Sequence, residues 1–529
     1  MTENKFYITS PLYYVNDVPH IGSAYTTIAC DCIARYKRLQ GYDVCFLTGT
    51  DEHGQKIFKA AKEKNMKPQE HCDFISEKFK ELWTLLNIKF DRFSRTTSKK
   101  HELIVQEFFK RVFSTGDIYE ADYEGLYCEG CEDFKTEKEV LEGNLCPIHK
   151  LKVQEYKEKN DFFALSKYQD KLTDFLHKNP DFIQPVYRKN EVLGWIKEGL
   201  KDFPVSRQSV SWGIPVPNDT KQTIYVWFDA LLGYISELIN EDENISLDNA
   251  IKTYWPCSVH IIGKDILRFH AVYWPCMLMS AKLPLPKKVF GHGFLTKDGE
   301  KMGKTTGNII NPYELINEFG TDAVRFYFLR EITFGKDGDF TRENFINRIN
   351  SDLANNLGNL LNRSLNLVIK NFNGVIELND ADKRKDFLGL KNKFDSTIAT
   401  FKNHMDNLEL KEALDSVWQL VDSTNKAFND KQPWKLIKNN DLERAKGCLY
   451  ETLEILRNIS ILINPFIPET SLKIYKQLGY DKINEYKDWE KVGWDRSGSS
   501  DKINGVFKVN EASLIFPRID IKTEVKTSN

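Results

Sequence analysis

The chain has 529 residues, 41% of them hydrophobic and 28% charged, which excludes a disordered or low-complexity protein and calls for several domains. Lys plus Arg number 74 against 76 Asp plus Glu, so a bound nucleic acid must be held by local patches and shape, not by a global basic field. The longest stretches lacking Asp, Glu, Lys and Arg, 18–30 and 269–281, are too short to span a bilayer, and no membrane partner is expected.

Residues 5–9 (KFYIT) read as a strand, 20–39 as a helix periodic through Ile28, Ile33, Tyr36 and Leu39, and Val44 to Leu47 as a second strand. Strand, crossover helix and strand make a βαβ unit, which implies a parallel sheet with right-handed connections. Further strand-like runs follow at 224–228 (IYVWF), 259–262 (VHII) and 288–291 (KVFG). Between them 116–215 is rich in charge, turns and cysteine, and its pattern is that of an insertion splitting the sheet. From about 340 to 475 the pattern is helical, and Leu353, Leu357, Leu360, Leu361 and Leu365 form one apolar face of an amphipathic helix over 344–366, which carries asparagines at 344, 347, 355, 359, 362 and 366 among others. The expected division is 1–115 and 216–298 as two halves of one α/β domain, 116–215 as insertion, 299–345 as linker, 346–520 as all-α domain and 521–529 as a polar, frayed tail.

Ten scattered cysteines do not form a secreted disulfide framework and suit a reducing compartment. The N-terminal MTENKFYITSPLYY has neither an apolar signal core nor an Arg-rich leader, so a cytoplasmic protein is expected.

Three constellations carry chemistry. Pro19-His20-Ile21-Gly22-Ser23 opens the first helix, where free N–H groups and the helix dipole attract phosphate; taken alone it is also the composition of an ordinary helix start. Lys301-Met302-Gly303-Lys304-Thr305 places two lysines three apart on a loop with Gly299, Gly303 and Gly307, which makes either a cationic clamp for a polyphosphate or a solvated loop. Cys128-x2-Cys131-x14-Cys146-x2-His149 has the paired short spacings of a tetrahedral Zn²⁺ site, and four protein ligands leave no open position, so the metal is expected to be structural. A disulfide is the alternative, disfavoured by the compartment and by the histidine.

The first two constellations together resemble the paired signatures of class I aminoacyl-tRNA synthetases. The segments from Phe6 to Tyr14, LTGTDEHG (47–54), VWFDALLGY (226–234), IGKDILRFH (262–270) and GHGFLT closely resemble the methionyl-tRNA synthetases, and the likeness runs over nearly the whole chain. Two positions depart from that pattern: Ser23 stands where His is usual and Gly303 where Ser is usual. The resemblance implies a Rossmann-type sheet split by a single zinc knuckle and followed by an anticodon-binding helix bundle. It implies L-methionine, Mg²⁺ with ATP, and tRNA(Met) as substrates and partners, with one structural Zn²⁺ per chain and a monomer.

By the same resemblance His20, Ser23, Lys301 and Lys304 are catalytic, and His20, Gly22, Ser23, Gly263, Asp265 and Lys304 hold ATP. Leu12, Tyr14, Trp227, Ala230, Tyr234, Ile266 and His270 surround the methionine side chain, with Asp51 for its ammonium group. Aromatic contacts suit a polarisable thioether, and a desolvated ammonium needs a carboxylate. Adenylate formation needs no proton abstraction, so Glu52 and His53 are given a structural or orienting role. Asn359, Arg363 and Trp434 coincide with the family's anticodon-reading positions, where amide and guanidinium groups read base edges and an indole stacks. A synthetase for isoleucine, valine or leucine would need a larger editing insertion than 116–215 allows. A non-catalytic RNA-binding descendant would not keep His20, Asp51 and Lys304, and a small-molecule nucleotidyltransferase would need no anticodon bundle.

Overall fold

The computed structural model describes residues 4–128, 133–135, 137, 139–147, 150–240, 242–302, 308–379, 385–484, 486–494 and 506–520. The chain forms two compact units, one of Lys5–Cys30 and Val44–His292, the other of Met1–Asn4, Asp31–Asp43 and Gly293–Asn529.

The first unit is built on a six-stranded sheet of β1 (Lys5–Tyr14), β2 (Asp43–Asp51), β3 (Arg92–Arg95), β4 (Ile183–Gln184), β5 (Val259–Gly263) and β6 (Val289–His292), in the spatial order β3-β2-β1-β5-β6-β4. The ladders β2–β3, β1–β5, β5–β6 and β6–β4 are parallel. Ile8, Phe46, Leu47, Ile261 and Ile262 are fully buried, as expected of strands covered on both faces. Helix α1 (Ile21–Leu39) makes the first crossover and carries Lys37 and Arg38 in its last turn, where cations suit the dipole; the chain leaves it through Gly41 at φ +84°.

One expectation fails here. The run 224–228 is no strand of the sheet: Asp219–Ile224 joins a small antiparallel sheet with Pro215–Val216 and Ser206–Arg207, and Val226–Ala230 is a short helix. An aromatic, β-branched run reads as strand wherever it is buried, and burial alone does not choose its backbone. The insertion is also not wholly separate, because β4 lies inside it and pairs with Val289 and Phe290 at the sheet edge. The rest of the insertion has its own antiparallel sheet, built on the long ladder of Ile118–Cys128 with Gln154–Phe163.

The second unit is mainly helical. Its long helical segment starts at Arg342, and the expected straight α-helix over 344–366 is instead α-helical to Arg348, π-helical over Ile349–Gly358 and α-helical again in α2 (Asn359–Phe372). Gly358 permits the wider turn: a Cβ there would stand 2.8 Å from the Leu353 carbonyl oxygen. The expected leucine face is buried throughout. Helices α4 (Leu410–Lys431) and α5 (Leu442–Ile463) pack beside it, α3 (Lys391–Asp406) packs on α4, and Val375–Glu377 pairs with Val506–Lys508, so the region is not purely helical. The tail 521–529 lies outside the described residues.

Candidate active site

In the sheet order the chain turns outward in opposite directions from β1 and β5, and the crevice beyond the carboxyl ends of strands at such a switch point is where open α/β sheets take ligands. Leu12 and Tyr14 close β1, Asp51 closes β2 and Gly263 closes β5. All three ends belong to the first unit.

At the start of α1 the Gly22 N–H donates to His20 Nδ1 at 3.0 Å, which leaves the proton of a neutral imidazole on Nε2 as an outward donor. Gly22 is required for this fold-back, since a Cβ would lie 2.8 Å from His20 Cε1. Although part of His20 is open to solvent, desolvation by the surrounding protein lowers its pKa, so the ring acts as a neutral donor, not as a fixed cation. The Ser23 hydroxyl is engaged on both sides, donating to the His20 carbonyl at 2.7 Å and accepting from the His20 N–H at 3.2 Å. It is buried, and in this conformation it shapes the helix start instead of facing outward. The exposed Asp265 carboxylate folds over Gly263, where a Cβ would meet its Oδ1 at 2.4 Å.

The residues expected around the methionine side chain gather in the same unit. Leu12 rests on Gly233, where a Cβ would stand 2.4 Å from its Cδ1, and this brings β1 against the turn carrying Tyr234. Trp227 stacks on Phe269 with centroids 3.8 Å apart and planes 6° apart. The Tyr234 hydroxyl lies 2.9 Å from His270 Nε2, and His270 Nδ1 lies 3.0 Å from the Ile266 carbonyl. That carbonyl can only accept, so Nδ1 carries the proton and Tyr234 donates to Nε2. Burial lowers the His270 pKa to about 4, so the pair is uncharged at neutral pH. His270 sits in a π-helical turn, Phe269–Tyr273, which no sequence periodicity foretold.

The neighbours of Asp51 are engaged with the protein itself. Glu52 accepts from Thr50 at 2.6 Å and from Arg95 Nε at 2.7 Å, and its carbonyl accepts from the Trp212 indole at 2.6 Å. His53 Nδ1 reaches Asp229 Oδ2 at 2.6 Å, and His101 Nε2 reaches the other oxygen at 2.5 Å. Sequence reasoning missed Asp229 and His101; only the position of Asp229 between Trp227 and Ala230 hinted at it.

In the second unit Lys301 ends a strand, Glu300–Lys301, paired with Leu295–Lys297, while Gly303, Lys304, Thr305 and Gly307 lie outside the described residues. Their loop has a fixed base: Asp339 Oδ1 accepts from the Gly299 N–H at 2.8 Å and the Thr296 hydroxyl at 2.6 Å, and Asn308 donates to the Lys297 carbonyl at 3.1 Å. Asn359 is exposed at the start of α2, Arg363 follows one turn on, and Trp434 opens the short helix Pro433–Lys438. Arg363 and Trp434 come together, as the guanidinium lies over the indole ring, and Asn359 is four residues before Arg363 on the same helix. Of the expected zinc ligands Cys128 and Cys146 are buried in one small cluster with Val153, and Cys131 and His149 lie outside the described residues. Among the described residues no group of three or more metal-ligating side chains occurs, and no helix is long and apolar enough to cross a membrane.

The profile of the family described as tRNA synthetases class I (M) matches residues 6–156 and 137–365, and that of the anticodon binding domain of methionyl tRNA ligase matches 381–504. The chloroplastic/mitochondrial methionine--tRNA ligase of Arabidopsis thaliana is 51% identical over 98% of this chain and 84% of its own length. That of Nostoc sp. (strain PCC 7120 / SAG 25.82 / UTEX 2576) is 52% identical over 92% of both chains. Among solved structures, Mycobacterium tuberculosis methionyl-tRNA synthetase in complex with methionyl-adenylate matches with a TM-score of 0.90 and 39% identity, over 97% of this chain and 100% of that one. Matches that cover both the parallel sheet and the helical region establish that the chain belongs to the methionyl-tRNA synthetase family of class I aminoacyl-tRNA synthetases.

Proposed function

We propose that the chain activates L-methionine with Mg-ATP to methionyl-adenylate, releasing pyrophosphate, and then transfers methionine to the 3′ end of tRNA(Met) for initiation and elongation. The observation that carries this reading is the uncharged Tyr234–His270 pair beside Trp227, within the unit whose strand ends bear Asp51 and Gly263. A neutral phenol and imidazole suit a polarisable sulfur and reject a charged side chain.

In the first step the methionine carboxylate attacks the α-phosphate, and no protein nucleophile takes part. The His20 Nε2–H and the N–H groups at the start of α1 donate to phosphate oxygens as charge develops, Lys304 supplies the cation, and Lys301 supports its loop. Asp265 beyond Gly263 takes the ribose hydroxyls, Mg²⁺ enters with ATP, and Asp51 takes the ammonium group. In the second step the terminal adenosine hydroxyl of the tRNA attacks the adenylate carbonyl and the acyl–phosphate bond breaks with release of AMP, with Asn359, Arg363 and Trp434 reading the CAU anticodon. The domain limits expected from the sequence are kept as part of this reading.

Zinc fits the donor set. Cys128 and Cys146 are buried thiols of one cluster, and with Cys131 and His149 they would supply the soft ligands of a structural Zn²⁺, which fixes the knuckle without entering the reaction. The cytoplasm is our reading of the compartment, resting on the scattered cysteines; the Arabidopsis thaliana relative is chloroplastic/mitochondrial. Methionine-dependent exchange of pyrophosphate into ATP, run beside isoleucine, leucine and cysteine, tests the reading. Methionine should be strongly preferred, and equal exchange with leucine or isoleucine would overturn it.

A further inference from the structure

Asp229 is a fully buried carboxylate that the reaction does not use, lying between two residues assigned to the methionine side chain, Trp227 and Ala230. An isolated buried carboxylate is costly, and this one is satisfied by an imidazole on each oxygen: His53 Nδ1 at 2.6 Å and His101 Nε2 at 2.5 Å. A carboxylate only accepts, so both rings present N–H to it, and the tautomer or charge of each is fixed from this one point. The second nitrogen of His101, Nδ1, lies 2.9 Å from the Ser236 hydroxyl on the helix Gly233–Ser236, which carries Tyr234. Burial works against charge on His53, but Asp229 outweighs it, aided by Glu52 and Glu102, and raises the His53 pKa above the ordinary range. Burial likewise works against the Asp229 anion, and the two imidazoles outweigh it.

Four pieces of chain therefore meet at one carboxylate: the end of β2 with Asp51 and His53, the helix Val226–Ala230, the helix Gly233–Ser236, and Lys99–Ser114 with His101. Two of these bear side-chain contacts for methionine and one bears the ammonium contact. From this geometry we infer that Asp229, acting through His53 and His101, is the positioning residue that holds Asp51 in register with the Trp227–Tyr234 side of the pocket, so that an amino acid is bound by its ammonium group and its side chain at once. The inference rests on the methionine-activating reading above. Asp229 touches no substrate; it fixes the spacing between two halves of a binding site.

The test is Asp229→Asn in the full chain, which keeps the volume and removes the charge and one acceptor. Pyrophosphate exchange should lose on the order of 10² in kcat/KM for methionine, carried by KM, with KM for ATP unchanged. Competitive inhibitors separate positioning from general damage. L-methioninol, which keeps the ammonium group, should bind about tenfold or more weaker to the variant, whereas 4-(methylthio)butanoate, which lacks it, should bind wild type and variant alike. Should Asp229→Asn fail to fold, His53→Ala carries the same test, because His101 still holds the other Asp229 oxygen; it should reproduce the split, and His53→Gln, which keeps an N–H donor, should restore most of the methioninol affinity. Equal loss of both inhibitors, or loss of neither, overturns the inference. A wild-type protein without methionine-dependent exchange would overturn the underlying reading instead.

Discussion

The guanidinium of Arg363 lies 5.3 Å from the centre of the Trp434 ring, and the same group is tied to Asn429 by a 2.9 Å hydrogen bond from Nη2. One face of the indole is therefore already covered by a cation that is itself anchored on α4. Phe428 also approaches the pair, with ring centroids 5.9 Å apart, so Trp434 is held by its surroundings while remaining only partly buried. A base that stacks on Trp434 meets a ring whose orientation is set beforehand, and takes the face that Arg363 leaves open.

Trp434→Ala should therefore weaken the tRNA-dependent step by about 1 to 3 kcal/mol, roughly ten- to two-hundredfold in aminoacylation efficiency, while pyrophosphate exchange without tRNA stays near normal. Arg363→Ala should show the same split. Changing the anticodon should impair the wild-type enzyme greatly and the Trp434 variant much less, because two disruptions of one contact do not add. Equal losses in exchange and aminoacylation would make Trp434 a residue of the bundle core.

His20→Ala should slow exchange by a factor on the order of 10² to 10³, the usual cost of one preorganised donor at a developing charge. Gly22→Ala should fall between it and wild type, since the added methyl forces the His20 ring off its backbone hydrogen bond. Because desolvation by the surrounding protein lowers the His20 pKa, the ring is neutral throughout the alkaline range. The advantage of wild type over His20→Ala should hold constant from about pH 7 to 9, the side on which imidazole stays neutral. An advantage that declined across that range would show that His20 works as a cation. Ser23→Ala should leave exchange largely intact and cost about 1 kcal/mol of stability, as expected for losing a helix-start hydrogen bond.

What the sequence made legible follows from the range of the interactions involved. The strand at Val259 and the helix at Ile21 were readable because local periodicity reports burial, and the leucine stripe of α2 likewise. Asp229 was not, because its partners lie 176 and 128 residues away and nothing in VWFDALLGY says that its carboxylate faces two histidines. The helix at Val226–Ala230 was misread as strand since both states bury the same residues. The π-helical turn over Ile349–Gly358 escaped because its cause, Gly358 giving room to the Leu353 carbonyl, is a contact and not a composition. The bonds of the Ser23 hydroxyl to the His20 backbone were likewise not legible, because the motif gives a residue type and not the direction of its side chain.

The knuckle should prove to be held by its metal. Cys146→Ser should lower zinc content and thermal stability together, since the ligands of a small metal site are what fix its loop, and exchange activity should fall only as far as the insertion disorders. Less than about half an equivalent of zinc per chain in carefully purified wild-type protein, with no other metal in its place, would refute the site.

Glu451 gives the helical region a pH dependence of defined sign. It is almost fully buried on α5, and its two carboxylate oxygens accept the backbone N–H groups of Phe387 at 2.8 Å and Leu388 at 2.7 Å. The Phe387 ring packs onto Gly447 on the same helix, where a Cβ would stand 2.5 Å from it, so the segment entering α3 is fastened at two points. Burial raises the Glu451 pKa to about 7, against the pull of those two N–H groups. A carboxyl group whose pKa is raised by folding binds its proton more tightly in the folded state. Its contribution is therefore most favourable below about pH 4.5, declines as pH climbs to about 7, and is level above that, with a total loss of at most about 3 kcal/mol. Glu451→Gln cannot titrate, though it loses one acceptor and so carries a constant penalty of its own. In thermal midpoints of wild type and Glu451→Gln measured side by side at pH 5, 6, 7 and 8, that of wild type should therefore fall relative to that of the variant up to about pH 7 and hold level above it, whatever the sign of their separation at pH 5. A gap that stayed constant across those four values would mean that Glu451 titrates as it does in the unfolded chain, and the fastening of Phe387 and Leu388 would then owe nothing to its protonation state.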